Sequence, residues 1–304
     1  MPELPEVETI ARGLAKRVVG DVIESVWLGS KPEPLKSSAQ EIATTLEGAR
    51  IQSVRRVGKH IVFDLERPPT SAKTRTSKSA RRTSRKKSPD NRQVRAKTPA
   101  EPVEIANWIV HLGMTGQLLV CPPDAELAKH THAIAKLASG RELRFVDPRR
   151  FGRLSVARSQ NGFETAGVEP LDVSFDAFVP LFRKRKLPMK SALLNQKLLR
   201  GVGNIYADES LFRAGIRPRR RAATLTREKL ALLYKSVQQV LQEAIAAGGS
   251  SISDYVGAEG EPGFFQMQHR VYGREGEPCL NCGTAIKRIV IAGRSSHYCP
   301  HCQK

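Results

Sequence analysis

The chain has 304 residues, 40% of them hydrophobic, and 50 Lys and Arg stand against 30 Asp and Glu for a formal net charge of +20. That length holds two or three modules with their own cores; no apolar run approaches the ~18 residues of a membrane span, and the acid-bearing N-terminus MPELPEVETI is not a secretory signal. Membrane and exported readings are therefore poor, and the positive excess points to a polyanionic partner, nucleic acid above all.

In chain order, a helix is predicted over 3–20, where Val7, Ile10, Leu14 and Val18 recur at spacings of three and four and Glu3, Glu6 and Glu8 suit the positive end of the helix dipole. The pattern then turns to β: VIESVWL (22–28), IQSVRRV and HIVFDL (51–65), and, from Ile105, IANWIVHLG, QLLVC, THAIAKLA, ELRFV and RLSVA. Many short strands with turns between them suggest a sandwich or a barrel. Residues 66–102 interrupt one hairpin with 12 Lys and Arg against 3 acids, a charge of +9, and no aromatic residue. Such a segment buries too little to offset its chain entropy and is read as a disordered basic loop. It is either a solvated insertion or a non-specific phosphate tether acting through counterion release. The remainder still carries +11, so the loop alone does not explain the excess.

After Phe163 the character is helical: FDAFVPLFRKR, SALLNQKLL, NIYADESLFRAG and a long segment from Thr226 to Ala247. In the last, Leu230, Leu233, Val237, Val240, Leu241 and Ile245 share one face. The GVG turn at 201–203 permits close backbone approach. The layout is α+β: an N-terminal β domain (1–160), a helical middle (161–270) and a C-terminal module (271–304).

Cys279, Cys282, Cys299 and Cys302 form C-x2-C-x16-C-x2-C, two knuckles that each present two thiolates to one tetrahedral zinc ion. A closed four-thiolate site is structural, and the 16 residues between the knuckles are too few for a core without the metal. Lys287, Arg288 and Arg294 make the module cationic. Cys121 stands apart and is read as a buried small residue. Pro2 is the second unusual feature. Removal of Met1 exposes a secondary amine with a pKa near ~8, able to attack a sugar C1′ and form an iminium that cannot lose its charge as a proton. The plainer reading is a proline that starts a helix. Glu3 and Glu6 are equally open, either dipole caps or a proton donor and its helper.

PELPEVETI, VGKHIVF, HLGMTGQL, DPRRFG, LLNQKLLRGVGNIYADESLF, VYGREGEPC and RSSHYCPHCQ follow one another in an order that resembles bacterial formamidopyrimidine-DNA glycosylase over nearly the whole chain outside 66–102. The resemblance implies a β-sandwich with a leading helix, a helix–two-turn–helix domain and a four-cysteine zinc-finger β-hairpin. It implies excision of oxidised purines (8-oxoguanine and formamidopyrimidines) from damaged double-stranded DNA, followed by β,δ-elimination. One structural zinc, a monomer, and a cytoplasmic, nucleoid-associated bacterial setting come with it. Pro2 then matches the nucleophile, Glu3 the proton donor with Glu6 in support, Lys59 the lysine of phosphate contact and β-elimination, and Arg294 the finger arginine of δ-elimination. Asn204 matches a phosphate-gripping asparagine, though an ordinary helix N-cap fits it as well. Met114, Arg149 and Phe151 match a wedge that fills the hole left by the extruded base. Composition alone makes Met114 and Phe151 core residues and Lys59 a turn residue after Gly58. His130 and Arg185 match further DNA contacts.

The insertion and Ser253, where relatives often carry a basic residue in a base-covering loop, depart from the pattern. An endonuclease VIII-type enzyme for oxidised pyrimidines is the nearest alternative, but PELPE and the complete wedge favour the purine enzyme. A catalytically silent DNA binder would lack Pro2, Glu3 or Lys59, and an RNA-binding zinc ribbon leaves the N-terminus unexplained.

Overall fold

The computed structural model describes residues 1–67, 104–158, 162–251, 257 and 261–304. Helix α1 (Leu4–Val18) is followed by β1 (Ile23–Leu28), α2 (Ala39–Leu46), β2 (Arg50–Val57), β3 (His60–Arg67), β4 (Glu104–His111), β5 (Gln117–Cys121), β6 (Thr131–Leu137), β7 (Glu142–Val146) and β8 (Arg153–Ala157). The strands form two antiparallel sheets, in the orders β1-β6-β7-β5 and β2-β3-β4-β8. Alternation sends Ile61, Phe63 and Leu65 of β3 and Leu143 and Phe145 of β7 into one core with Val7, Ile10 and Leu14 of α1. Two sheets sharing a core make a sandwich, which decides between the two β architectures.

Three local expectations change. Strand β3 continues through Glu66 and Arg67, which pair with Ile105 and Glu104, so the first two residues of the expected basic loop are strand; 68–102 and Ser253 lie outside the described residues. Cys121, at the end of β5, is half-buried rather than buried. Helix α2 was not anticipated. Its eight residues are too short to show a period, and its one signal is Ser38, whose side chain accepts from the Glu41 amide at 3.1 Å.

The helical unit comprises α3 (Phe175–Phe182), α4 (Met189–Leu193), α5 (Asn204–Arg213) and α6 (Arg227–Ala246). The apolar face expected of α6 is buried from Leu230 to Leu241, with Ile245 packed at its edge, and the Thr226 hydroxyl caps the helix by accepting from the Lys229 amide. The helix expected over SALLNQKLL stops at Leu193. The Gln196 side chain folds the next residues into a turn, donating to the carbonyls of Leu194 and Val202 and accepting from the Gly201 amide. The RKR that follows α3 is likewise not helical, and Lys184 there sits at φ 66.

The C-terminal module is a hairpin of β9 (Lys287–Ile291) and β10 (Arg294–Tyr298). Its two turn residues, Ala292 and Gly293, have φ 47 and 75, the pair of positive values that a type I′ turn requires. It is fastened to the helical unit by the His297 amide donating to Asp208 at 2.9 Å and by a small core of Phe212, Val271 and Ile286. Helix α1 joins the two larger units: Leu4 lies in the helical core, while the rest of its apolar face lies in the sandwich core.

Candidate active site

Because Leu4 is held in the helical core and its amide donates to the Gly201 carbonyl at 3.0 Å, the N-terminus of α1 is delivered to the start of α5. Pro2 lies outside α1, whose N-cap is Glu3; the helix-starting proline is Pro5. The Glu3 carboxylate accepts from the backbone amides of Ile205 at 3.0 Å and Tyr206 at 3.4 Å, so it occupies the positive end of α5. The N-cap of α5 is Gly203, not Asn204, and the capping carboxylate comes from another element. Gly203 is required by proximity: a Cβ there would lie 2.2 Å from Glu3 Cδ. On the reading of Glu3 as the proton donor of a base-excising enzyme, Gly203→Ala is expected to push the carboxylate off α5 and slow single-turnover excision about 100-fold, with DNA affinity retained; an unchanged rate would show that Glu3 needs no fixed seat.

Burial raises the Glu3 pKa from an ordinary 4.5 to about 6, against the opposing pull of the Lys59 ammonium. Glu6, equally buried, is also raised. Its carboxylate accepts from the Glu3 amide at 2.8 Å, from the Ser250 amide at 2.8 Å and from the Tyr206 hydroxyl. A carboxyl whose pKa is higher folded than unfolded contributes stability that is complete below pH 4.5 and lost as the pH rises through about 6. For Glu3 this amounts to about 2 kcal/mol. Glu3→Gln is expected to shift the urea midpoint upward at pH 7.5 but not at pH 4.5. Parallel midpoint curves would contradict a strained buried carboxylate.

Lys59 sits at the tip of the two-residue turn between β2 and β3, where Gly58 supplies the positive φ of 58. The turn is tied to the helical unit by Glu169, which accepts from the Gly58 amide at 2.8 Å, from Arg56 at 2.7 Å and from Arg200 at 2.9 Å. Burial lowers the Lys59 pKa, and Glu3 and Glu6 oppose that shift. Glu3, Lys59, Met114, Asn204 and Arg294 line one cavity of about 840 Å³, with Met1 at its edge and Arg288 adding a further cation. Asn204 donates to the Ser295 hydroxyl at 3.2 Å, linking α5 to the hairpin that carries Arg294.

The sulfur atoms of Cys279, Cys282, Cys299 and Cys302 all lie within 4.8 Å of one another, with Cys279–Cys302 at 3.9 Å and Cys282–Cys299 at 3.5 Å. A tetrahedral zinc–thiolate site has sulfur edges of roughly 3.8 Å, so the four cysteines fit one zinc ion. The ion would fold the hairpin behind Arg294. One zinc per chain is expected by elemental analysis. On the reading of this module as a phosphate-binding finger, removal of the ion by a chelator is expected to weaken duplex binding roughly 10- to 100-fold; unchanged affinity would detach the finger from DNA binding.

Met114 and Phe151 are not core residues: they are 40% and 47% exposed, and the Arg149 guanidinium lies 4.8 Å from the Phe151 ring centre. Their two loops meet backbone to backbone, since a Cβ on Gly113 would lie 2.5 Å from the Gly152 nitrogen. Buried Asp147 pins both, accepting from Thr115 at 2.6 Å, Gly152 at 2.7 Å and Arg149 at 3.3 Å. His130 lies instead in a separate groove of about 430 Å³ with Lys31, Lys129 and Arg150. Arg185 is outside both, its side chain donating to the Leu181 carbonyl at 2.6 Å. Sequence reasoning missed Glu169, Asp147, Tyr206 and Arg150. Asp147 and Arg150 stand within DPRRFG and Tyr206 within GVGNIYADESLF, so these three had a local signal; Glu169 lies outside the quoted motifs and had none.

The described residues contain no helix long and apolar enough to cross a membrane. Family models match in three consecutive blocks: the formamidopyrimidine-DNA glycosylase N-terminal domain over residues 1–154, the formamidopyrimidine-DNA glycosylase H2TH domain over 166–256, and the zinc finger found in FPG and IleRS over 276–304. The chain is 41% identical to the formamidopyrimidine-DNA glycosylase of Solibacter usitatus over 309 residues, covering 100% of both. Among solved structures it is similar to the MutM (Fpg) protein of Thermus thermophilus, with a TM-score of 0.78, 38% identity and 99% and 98% of the two chains covered. It is also similar to MutM in complex with DNA containing carbocyclic 8-oxo-G, with a TM-score of 0.79, 32% identity and 100% of both chains covered.

Proposed function

This chain belongs to the formamidopyrimidine-DNA glycosylase family, and we propose that it excises oxidised purines from damaged duplex DNA through Pro2 and then cuts the abasic strand. It is a base-excision repair glycosylase and lyase of the bacterial cytoplasm, acting as a monomer at the nucleoid. The observation that carries the assignment of roles is the convergence of the N-terminus, Glu3, Lys59, Asn204 and Arg294 on a single cavity.

With Met1 attached, the Pro2 nitrogen is an amide without a free lone pair, so the chemistry requires Met1 to be removed. The free amine attacks C1′ of the extruded nucleotide and the damaged base departs. A pKa near 6 leaves Glu3 a protonated fraction with which to protonate O4′ as the sugar ring opens to the iminium. The iminium acidifies C2′–H; loss of that proton breaks the C3′–O bond, and a second elimination breaks the C5′–O bond. Lys59, its ammonium weakened by burial, serves the first elimination and the adjacent phosphate. Arg294 serves the second, presenting a guanidinium fork to phosphate. Met114, Arg149 and Phe151 fill the vacated stack, Asn204 holds a flanking phosphate, and His130 and Arg185 make further DNA contacts. The zinc ion held by Cys279, Cys282, Cys299 and Cys302 has no part in bond breaking.

Borohydride trapping on a duplex with one 8-oxoguanine opposite cytosine tests this reading. An adduct mapped to Pro2 is expected. An adduct only with an oxidised pyrimidine would move the chain to the endonuclease VIII type, and none with either lesion or an abasic site would leave a DNA binder.

A further inference from the structure

Glu6 does not end the buried polar chemistry behind the cavity. The Tyr206 hydroxyl that donates to Glu6 lies 3.3 Å from the Ser250 hydroxyl, and that oxygen lies 3.2 Å from His269 Nε2. All four side chains are buried, His269 at 8% exposure, and His269 is not among the residues lining the cavity. The Tyr206 hydroxyl donates to Glu6, and the Ser250 hydroxyl bridges Tyr206 and His269 Nε2, so the four side chains form one continuous hydrogen-bonded chain. Burial holds the His269 pKa down to about 4 against a backbone hydrogen bond with Tyr272, so the ring that ends the chain is neutral. The chain is also anchored through backbone. Ser250 donates its amide to the same Glu6 oxygen, Gly249 at φ 82 lets the main chain approach that carboxylate, and the Phe265 amide donates to the Gly249 carbonyl at 2.9 Å. The other Glu6 oxygen receives the Glu3 amide, which belongs to the Pro2–Glu3 peptide. That peptide is planar, so its orientation sets where the Pro2 ring is carried.

We propose that Ser250 and His269 are positioning residues for the N-terminal nucleophile, acting through Tyr206 and Glu6. The proposal rests on Pro2 being that nucleophile. Linked hydrogen bonds in a low-dielectric interior reinforce one another, so loss of one member loosens the rest of the chain. Both side chains are buried and neither lines the cavity, so the effect falls on the rate of the chemical step and not on affinity.

The test is single-turnover trapping at Pro2 on the 8-oxoguanine duplex, with duplex Kd measured in parallel, for wild type, His269→Leu, Ser250→Ala, the double variant and His269→Gln. The two single variants are expected to slow adduct formation about tenfold at unchanged Kd. The double variant is expected to be no slower than either, because both break one chain, and Gln, which retains a donor, is expected to restore the rate. Additive slowing, a matching loss of affinity, no rescue by Gln, or wild-type rates throughout would overturn the proposal; Ser250→Ala removes one oxygen and keeps the test open if His269→Leu folds poorly. No Pro2 adduct with wild type would overturn the nucleophile reading and this inference with it, an outcome distinct from a wild-type adduct formed equally fast in the variants.

Discussion

Pro2→Gly is expected to reduce base excision by two orders of magnitude or more, roughly 100- to 1,000-fold, while duplex affinity stays near wild type. Glycine leaves a primary amine, and its adduct at C1′ can lose the nitrogen proton and relax to a neutral imine. The iminium of a secondary amine has no such escape and stays a full electron sink through both eliminations. Glycine also lacks the ring, so the terminal amine would rotate freely in a site where the seat for its neighbour is rigid: Glu3 is held by two α5 amides and its own amide by Glu6. The cavity lining that meets DNA is otherwise unaltered, so the loss belongs to rate. Single-turnover excision and borohydride trapping separate the two, and full activity with an undiminished adduct would remove Pro2 from the mechanism.

What could be read in advance follows from where the information lies. Helix α6 and the strands β2 to β4 were legible because a long period or alternation states which face is buried. The zinc site was legible because its spacing is its geometry. The ordered motifs carried the identity of Glu3, Lys59 and Arg294, but not what holds them. Glu169 lies 111 residues from the Gly58 amide it binds, and Tyr206 lies 200 residues from Glu6. Each reads locally as an ordinary loop acid or helix aromatic, since a hydrogen bond across such separation leaves no mark on neighbouring sequence. The N-cap alternative for Asn204 fails for the same reason: a residue of the right type stood at the helix start, yet the cap came from Glu3, 202 residues from the Ile205 amide it binds.

Lys190→Met is the second large effect expected, and it falls on the finger. Lys190 and Asp208 form an ion pair at 2.7 Å with both side chains 0% exposed. The Lys190 ammonium also donates to the Ser295 carbonyl, next to Arg294, while Asp208 takes the His297 amide. Burial lowers the Lys190 pKa and Asp208 opposes it, so each charge is tolerable only beside the other. Methionine fills the volume but leaves the buried Asp208 carboxylate without its ammonium partner, with His297 its remaining polar contact, a loss of about 3–5 kcal/mol. Lys190→Met with Asp208→Asn removes both charges and keeps an oxygen for the His297 amide, so it is expected to recover more than half of that loss in urea unfolding. It does not recover the donor to Ser295. The double variant is therefore expected to be stable and to stall after the first elimination, accumulating β-product over β,δ-product on a preformed abasic duplex. A normal product ratio in a stable double variant would mean that Arg294 finds its phosphate without the buried pair. A double variant as unstable as the single one would mean that packing, not the uncompensated charge, sets the loss.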